Sequence, residues 1–154
     1  MNPIRRIVQL HKRRQQDAES FLLKKQQELA ARKEEQEQCR AALETYCTEA
    51  AEMVRAINAR LFGCVVNKQQ VDLCNAQLVA ISRRRVELES ALAQAGKEVD
   101  AATHEVADAR NAYNRQAART EKYVEFEKRL DQAAALGLLR KEELELEEII
   151  GAKR

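Results

Sequence analysis

The stretch "LFGCVVNKQQV", residues 61–71, interrupts a chain otherwise made almost wholly of helix-forming residues. Gly63 lacks the Cβ that penalises a left-handed backbone, so it suits the position just past a helix end. Asn67 is a good N-cap, and Gln70 follows three residues later, the spacing of a capping box. Val66 and Val71 stand where a hydrophobic staple would close, one before the cap and one in the first turn. The spacing therefore predicts that one helix stops at Phe62, that residues 63–67 form a tip, and that a second helix starts at Lys68.

So short a connection lays the two helices side by side and antiparallel. Each arm of about 60 residues is then roughly 90 Å long at the helical rise. Pairing outward from the tip makes partner numbers sum to about 130, which puts Ile4 near Phe126. Everything beyond about Arg129 is left without an intramolecular partner, although the tail still reads as helical, with Gly137 its weakest link. The whole chain, 1–154, is expected to be a single helical hairpin: helix 4–62, tip 63–67, helix 68–136 and a helical overhang 137–150.

Composition agrees with an all-α, two-helix antiparallel coiled-coil hairpin. Charged residues make up 34% and aromatic residues 4%, there is no Trp, and Gly and Pro number 4 and 1. Such a balance belongs to long helices rather than to a globular core. Disorder is the rival for so charged a chain, but 45% apolar residues arranged in register argue against it.

From Val71, alternate steps of three and four give Cys74, Leu78, Ile81, Arg85, Leu88, Leu92, Ala95, Val99, Ala102, Val106, Ala109 and Tyr113. That sustained heptad stripe marks a helix pressed against another helix. Arg85 alone breaks it; the expected register offers it Glu44 or Glu49 at the edge of the seam. In the first helix Leu43, Cys47, Ala50, Val54, Ile57 and Leu61 obey the same alternation. Extended backwards, it becomes Leu22, Gln26, Leu29, Lys33, Gln36 and Arg40, a wetter seam that drifts near Ala18 and Phe21. Leu10, Phe21, Phe62 and Phe126 fall partly outside the stripe.

Chemistry finds little to stand on. No G-x-x-x-x-G-K-[ST] loop cradles a phosphate. Neither His11 nor His104 has a Glu three residues before it, as a di-iron bundle requires; His104 lies opposite the stripe, and His11 belongs to a basic arm. Cys39, Cys47, Cys64 and Cys74 have neither C-x-x-C nor zinc spacing and read as reduced thiols packing as small hydrophobes. The chain is expected to be no enzyme and to need no cofactor or metal.

Net charge is +2, but it is unevenly spread. Arg5, Arg6, Lys12, Arg13 and Arg14 open the chain without an acid among the first 16 residues, while "EELELEE" (142–148) is strongly acidic. A basic arm fits nucleic acid, a membrane surface or a protein. A basic zipper would need good heptads beside the arm, and the heptads there are the poor ones. No segment approaches the roughly 18 apolar residues of a membrane span, and the start lacks the apolar core of a signal peptide, so a cytoplasmic location is expected.

The start "IRRIVQLHKRRQQDAE", the mid-chain tip and the later "ARNAYNRQAARTEKYVEFEKRL" together resemble the YscO/FliJ family of type III secretion and flagellar export, with the virulence-type YscO branch the nearer. The resemblance covers essentially the whole chain. It implies a central stalk standing in the pore of a hexameric secretion ATPase, peripheral at the base of the apparatus, linking that ring to the export gate and handling secretion chaperones; the hairpin itself is expected to be a monomer in dilute solution. Position and charge then make Arg5, Arg6, Arg13, Arg14, Arg115, Arg119 and Lys122 the candidate pore contacts. Leu61, Phe62, Val65 and Val66 at the tip are candidates for the gate or a chaperone. The alternative, from another class, is a scaffold-type coiled coil that assembles as a parallel dimer.

Overall fold

The computed structural model describes residues 3–153. Helix α1 spans Pro3–Leu61 and helix α2 spans Lys68–Ala152. Pro3 opens α1, where a missing N–H and a fixed φ cost nothing. The two helices pack antiparallel as a hairpin, and partner numbers sum to about 130 in the pairs that join them, Arg5 with Glu127, Lys25 with Glu105, Arg32 with Glu98 and Tyr46 with Ile81 among them. A parallel zipper would make no such pairs within one chain, so the parallel arrangement falls.

The tip is built by local chemistry. Phe62 N–H donates to the Asn58 carbonyl at 2.9 Å as the last α-helical bond of this turn. Gly63 then takes a φ of 98°, a conformation that other L-residues adopt only with strain. Asn67 N–H donates to Gln70 Oε1 at 3.0 Å while Gln70 N–H donates to Asn67 Oδ1 at 2.9 Å. This reciprocal box satisfies two donors that a helix start would otherwise leave orphaned, and such a cap contributes about 1 kcal/mol.

The chain divides into two compact units. In the unit Lys24–Ala107 the buried side chains are Ala50, Ile57, Cys74 and Val106. Cross-helix ion pairs here join Lys25 to Glu105 at 2.8 Å and Arg32 to Glu98 at 2.9 Å. In the other unit, formed by the chain up to Leu23 and from Asp108, Val8, Ala109 and Thr120 are buried. Most other seam residues in both units are only half-buried, as expected of a helix pair with no third layer to close its core.

The seam of α2 follows the expected stripe, and its alternation runs on past Tyr113 through Gln116, Thr120, Glu127 and Leu130, all buried or half-buried. The seam of α1 differs. Gln26, Lys33 and Arg40 are exposed, and the half-buried positions are Leu22, Lys25, Leu29, Gln36, Cys39, Leu43 and Cys47. Two four-residue steps therefore follow one another, Cys39–Leu43–Cys47. A four-residue insertion of this kind shifts heptad phase and locally unwinds the supercoil. Extending the heptads of residues 43–61 backwards without that stutter misplaces every second seam residue.

Arg85 stands opposite the stutter. It is exposed and pairs with Glu89 on its own helix at 3.0 Å, not with Glu44 or Glu49. Tyr46 instead crosses the seam, donating its hydroxyl to the Ile81 carbonyl at 3.3 Å. Among the cysteines, Cys74 is buried and Cys39 and Cys47 are half-buried, but Cys64 is exposed and does not pack. No helix among the described residues is long and apolar enough to cross a membrane.

Candidate functional site

Two surfaces carry the candidate residues, one in each unit. In the unit of the chain's ends, the heptad places His11 on the seam of α1 opposite Gln116, Thr120 and Tyr123. The His11 ring stacks on Tyr123 with centroids 4.3 Å apart and planes 16° from parallel. Gln116 Nε2 lies 3.0 Å from His11 Nδ1. The buried Thr120 hydroxyl stands 3.2 Å from the His11 carbonyl oxygen and 2.9 Å from that of Gln116. His11 is thus a seam residue tied into a polar layer, not merely part of a basic arm. His104 is exposed.

That layer floors a groove of about 410 Å³ lined by His11, Arg119, Lys122, Tyr123 and Phe126. Two of the candidate cations, Arg119 and Lys122, thereby line one groove with His11, Tyr123 and Phe126. Arg115 is exposed one helical turn before Arg119. Arg5 is otherwise engaged: Glu127 and Asp131 hold its guanidinium at 3.4 and 3.6 Å. Arg6, Arg13 and Arg14 are exposed and form no ion pair among the described residues.

Beyond Leu130 every described residue of α2 is exposed, yet the helix continues through Gly137 to Ala152. Leu136, Leu138, Leu139, Leu144, Leu146, Ile149 and Ile150 are each more than half exposed. So many large apolar side chains along one unpaired helix mark a surface made to be covered.

At the tip, in the unit Lys24–Ala107, Phe62 and Val65 stand in solvent while Leu61 and Val66 are half-buried. Leu61, Val65 and Val66 line a second groove together with Cys64, Leu73 and Cys74; Phe62 does not. Leu73, 60% exposed, lies one residue before the seam position Cys74, and a search confined to the stripe passes over it. His11 and Tyr123 were legible in principle, because carrying the alternation back from Leu22 and forward from Tyr113 lands on both.

Elsewhere the charges that cross the seam are paired. Lys25 donates to Glu105 and to Glu28, and these bonds, that to Glu105 first, raise its ammonium above the usual lysine range. The same bond from Lys25 holds the Glu28 carboxyl below its usual range. No cluster of His, Cys, Asp and Glu among the described residues is placed to hold a metal ion. Among the described residues the two surfaces present apolar side chains and cations.

A family model described as type III secretion protein YscO matches residues 4–151, nearly the full extent of both helices. No curated protein and no solved structure matches the chain.

Proposed function

The chain belongs to the YscO family of type III secretion proteins, and from that premise we propose that it is the central stalk of a secretion apparatus. The ends of the hairpin enter the pore of a hexameric secretion ATPase at the cytoplasmic base of the apparatus. Arg6, Arg13, Arg14, Arg115, Arg119 and Lys122 meet the pore wall there; Arg5, held by Glu127 and Asp131, braces the helix ends more than it reaches outward. The tip, through Leu61, Phe62, Val65 and Val66, meets the export gate, and secretion chaperones are further partners of these exposed apolar side chains.

Such a protein works by binding, not by catalysis. A single asymmetric hairpin in a ring of identical subunits contacts each of them differently, and differential contact biases their conformational states. The observation that carries this reading is the family match over residues 4–151. The unpaired extension of α2 and the apolar tip give the two ends surfaces with which to act.

The test is reconstitution with the secretion ATPase of the same cell. The full chain is expected to co-purify with the ATPase and to raise its turnover. Substituting Arg115, Arg119 and Lys122 by Glu should abolish the stimulation while leaving helicity intact. An ATPase that neither binds the chain nor changes rate in its presence refutes the stalk reading.

A further inference from the structure

Two unlike surfaces lie along the later part of α2, the first shared with His11 of α1, and both belong to the unit of the chain's ends. One is the groove over His11, Tyr123 and Phe126, with Arg119 and Lys122 at its rim. The other is the tail. There Leu139, Leu146 and Ile150 recur at steps of seven and four, which puts them on one stripe of the helix, and each is more than half exposed. The acids of "EELELEE" (142–148) flank that stripe. One surface is apolar and cationic, the other apolar and anionic.

We propose that these surfaces are made for each other in a second copy of this chain: the acidic tail of one copy lies in the basic groove of its partner, and reciprocally. Charge sign and apolar content match, so association would bury both apolar stripes and set Glu145 and Glu147 near Arg119 and Lys122.

The chain cannot do this to itself. α2 is unbroken through Ala152, so its tail runs away from its own groove. Even a sharp reversal at Gly137 would bring only the last helical turn back to Phe126, leaving Leu139 and Leu146 outside the groove. Exchange between two copies needs no break. Antiparallel overlap of the two α2 ends, with a two-fold axis near residue 133 or thereabouts, satisfies both grooves at once and closes the assembly. A head-to-tail arrangement would leave a free tail and a free groove at its ends and grow into chains.

One consequence rests on the stalk reading: the tail that enters the ATPase ring is covered in the dimer, so the ring and a second copy compete for it. The dimer itself does not depend on that reading, and its test contains no ATPase.

The test is mass in solution, by light scattering or sedimentation of the purified full chain. The wild type is expected to rise from one chain mass when dilute to two when concentrated, and to return toward one in high salt. Full-chain R119E/K122E and full-chain E145K/E147K should each remain at one chain mass, with unchanged helicity by circular dichroism. Mixed together they should form a heterodimer, because the reversed groove of the first now faces the reversed tail of the second. Their other groove and tail keep the wild-type signs. A wild type that is monomeric at every concentration overturns the proposal, as does a dimer that survives either charge reversal or a mixture that fails to associate. Masses climbing past two chains mean head-to-tail growth and overturn it as well.

Discussion

At Gly63 the backbone takes a φ of 98°, and a side chain there is strained whatever space surrounds it. Gly96 is an ordinary helical residue, and a Cβ built on it would meet only the end of the Gln36 side chain, at 3.4 Å. The same substitution should therefore act in opposite directions. Gly63→Ala should lower the melting temperature through a strain of about 1 kcal/mol or more. Gly96→Ala should raise it, by up to about 1 kcal/mol of helix propensity, as the flexible Gln36 gives way. Thermal melts of the two variants check both signs; a drop for Gly96→Ala would show that Gln36 is held too firmly to move. Arg85 is a third residue whose geometry sets a sign. Its bond to Glu89 is exposed and contributes about 0.5 kcal/mol at most. Arg85→Leu gives up that pair and fills the gap in the apolar stripe between Ile81 and Leu88, so the melting temperature should hold or rise. A fall of several degrees would mean that Tyr46 leaves no room for Leu at the stutter.

At the scale of the elements, the cross-helix pairs of the unit Lys24–Ala107 give a pH response with a defined sign. Lys25 is shifted up by Glu105 and then Glu28. Its contribution to stability is therefore complete below the unfolded lysine value and lost as pH rises through about 10.4 and above. Glu28 is shifted down by Lys25, so its contribution is complete above the unfolded carboxyl value and lost as pH falls below about 4. Melting temperature against pH should thus sag at both ends, less so in high salt because these groups lie at the surface. Glu105→Gln removes the largest cause of the Lys25 shift, so the alkaline sag should shrink while the acid sag from Glu28 remains. An alkaline limb unchanged in that variant would show that Lys25 does not depend on Glu105. These pairs also explain what could be read from sequence and what could not. The tip was legible because Gly63, Asn67 and Gln70 are local signals, each with its own bond or dihedral. The seam of α2 was legible because its alternation keeps one phase throughout, with Arg85 the single polar break between Val71 and Tyr113. The seam of α1 was not, because the stutter at Leu43 puts Lys25, Arg32 and Glu28 at or beside seam positions. A hydrophobic pattern cannot register charged side chains that cover the seam with their stems and pair across it. Of the candidate surfaces, the exposed tail followed from the register alone. The groove over His11 and Tyr123 did not, since a basic run around His11 outweighed its place in the heptad.

For the whole molecule, the deciding feature is that pairing between the helices ends before the chain does. Leu130 is the last half-buried residue and Asp131 the last to meet α1, through Arg5. From there to Lys153 the chain is exposed and makes no seam contact. Ending the chain after Leu136 therefore removes apolar surface and acidic charge but no packed residue. In dilute solution the shortened chain should melt where the full chain does, because cooperative stability resides in the paired seam and not in propensity alone. Mean helicity per residue should also hold. What should fall is function: on the stalk reading the tail adds its own ring contacts to those of the cations on the paired helices, so stimulation of the secretion ATPase and secretion itself should both fall sharply. The two readouts separate the roles of the tail. A lower melting point would mean that residues past Leu136 support the hairpin, contrary to their exposure. Full stimulation by the shortened chain would leave the ring contact to the paired helices alone, to cations such as Arg115, Arg119 and Lys122, with no part for the tail.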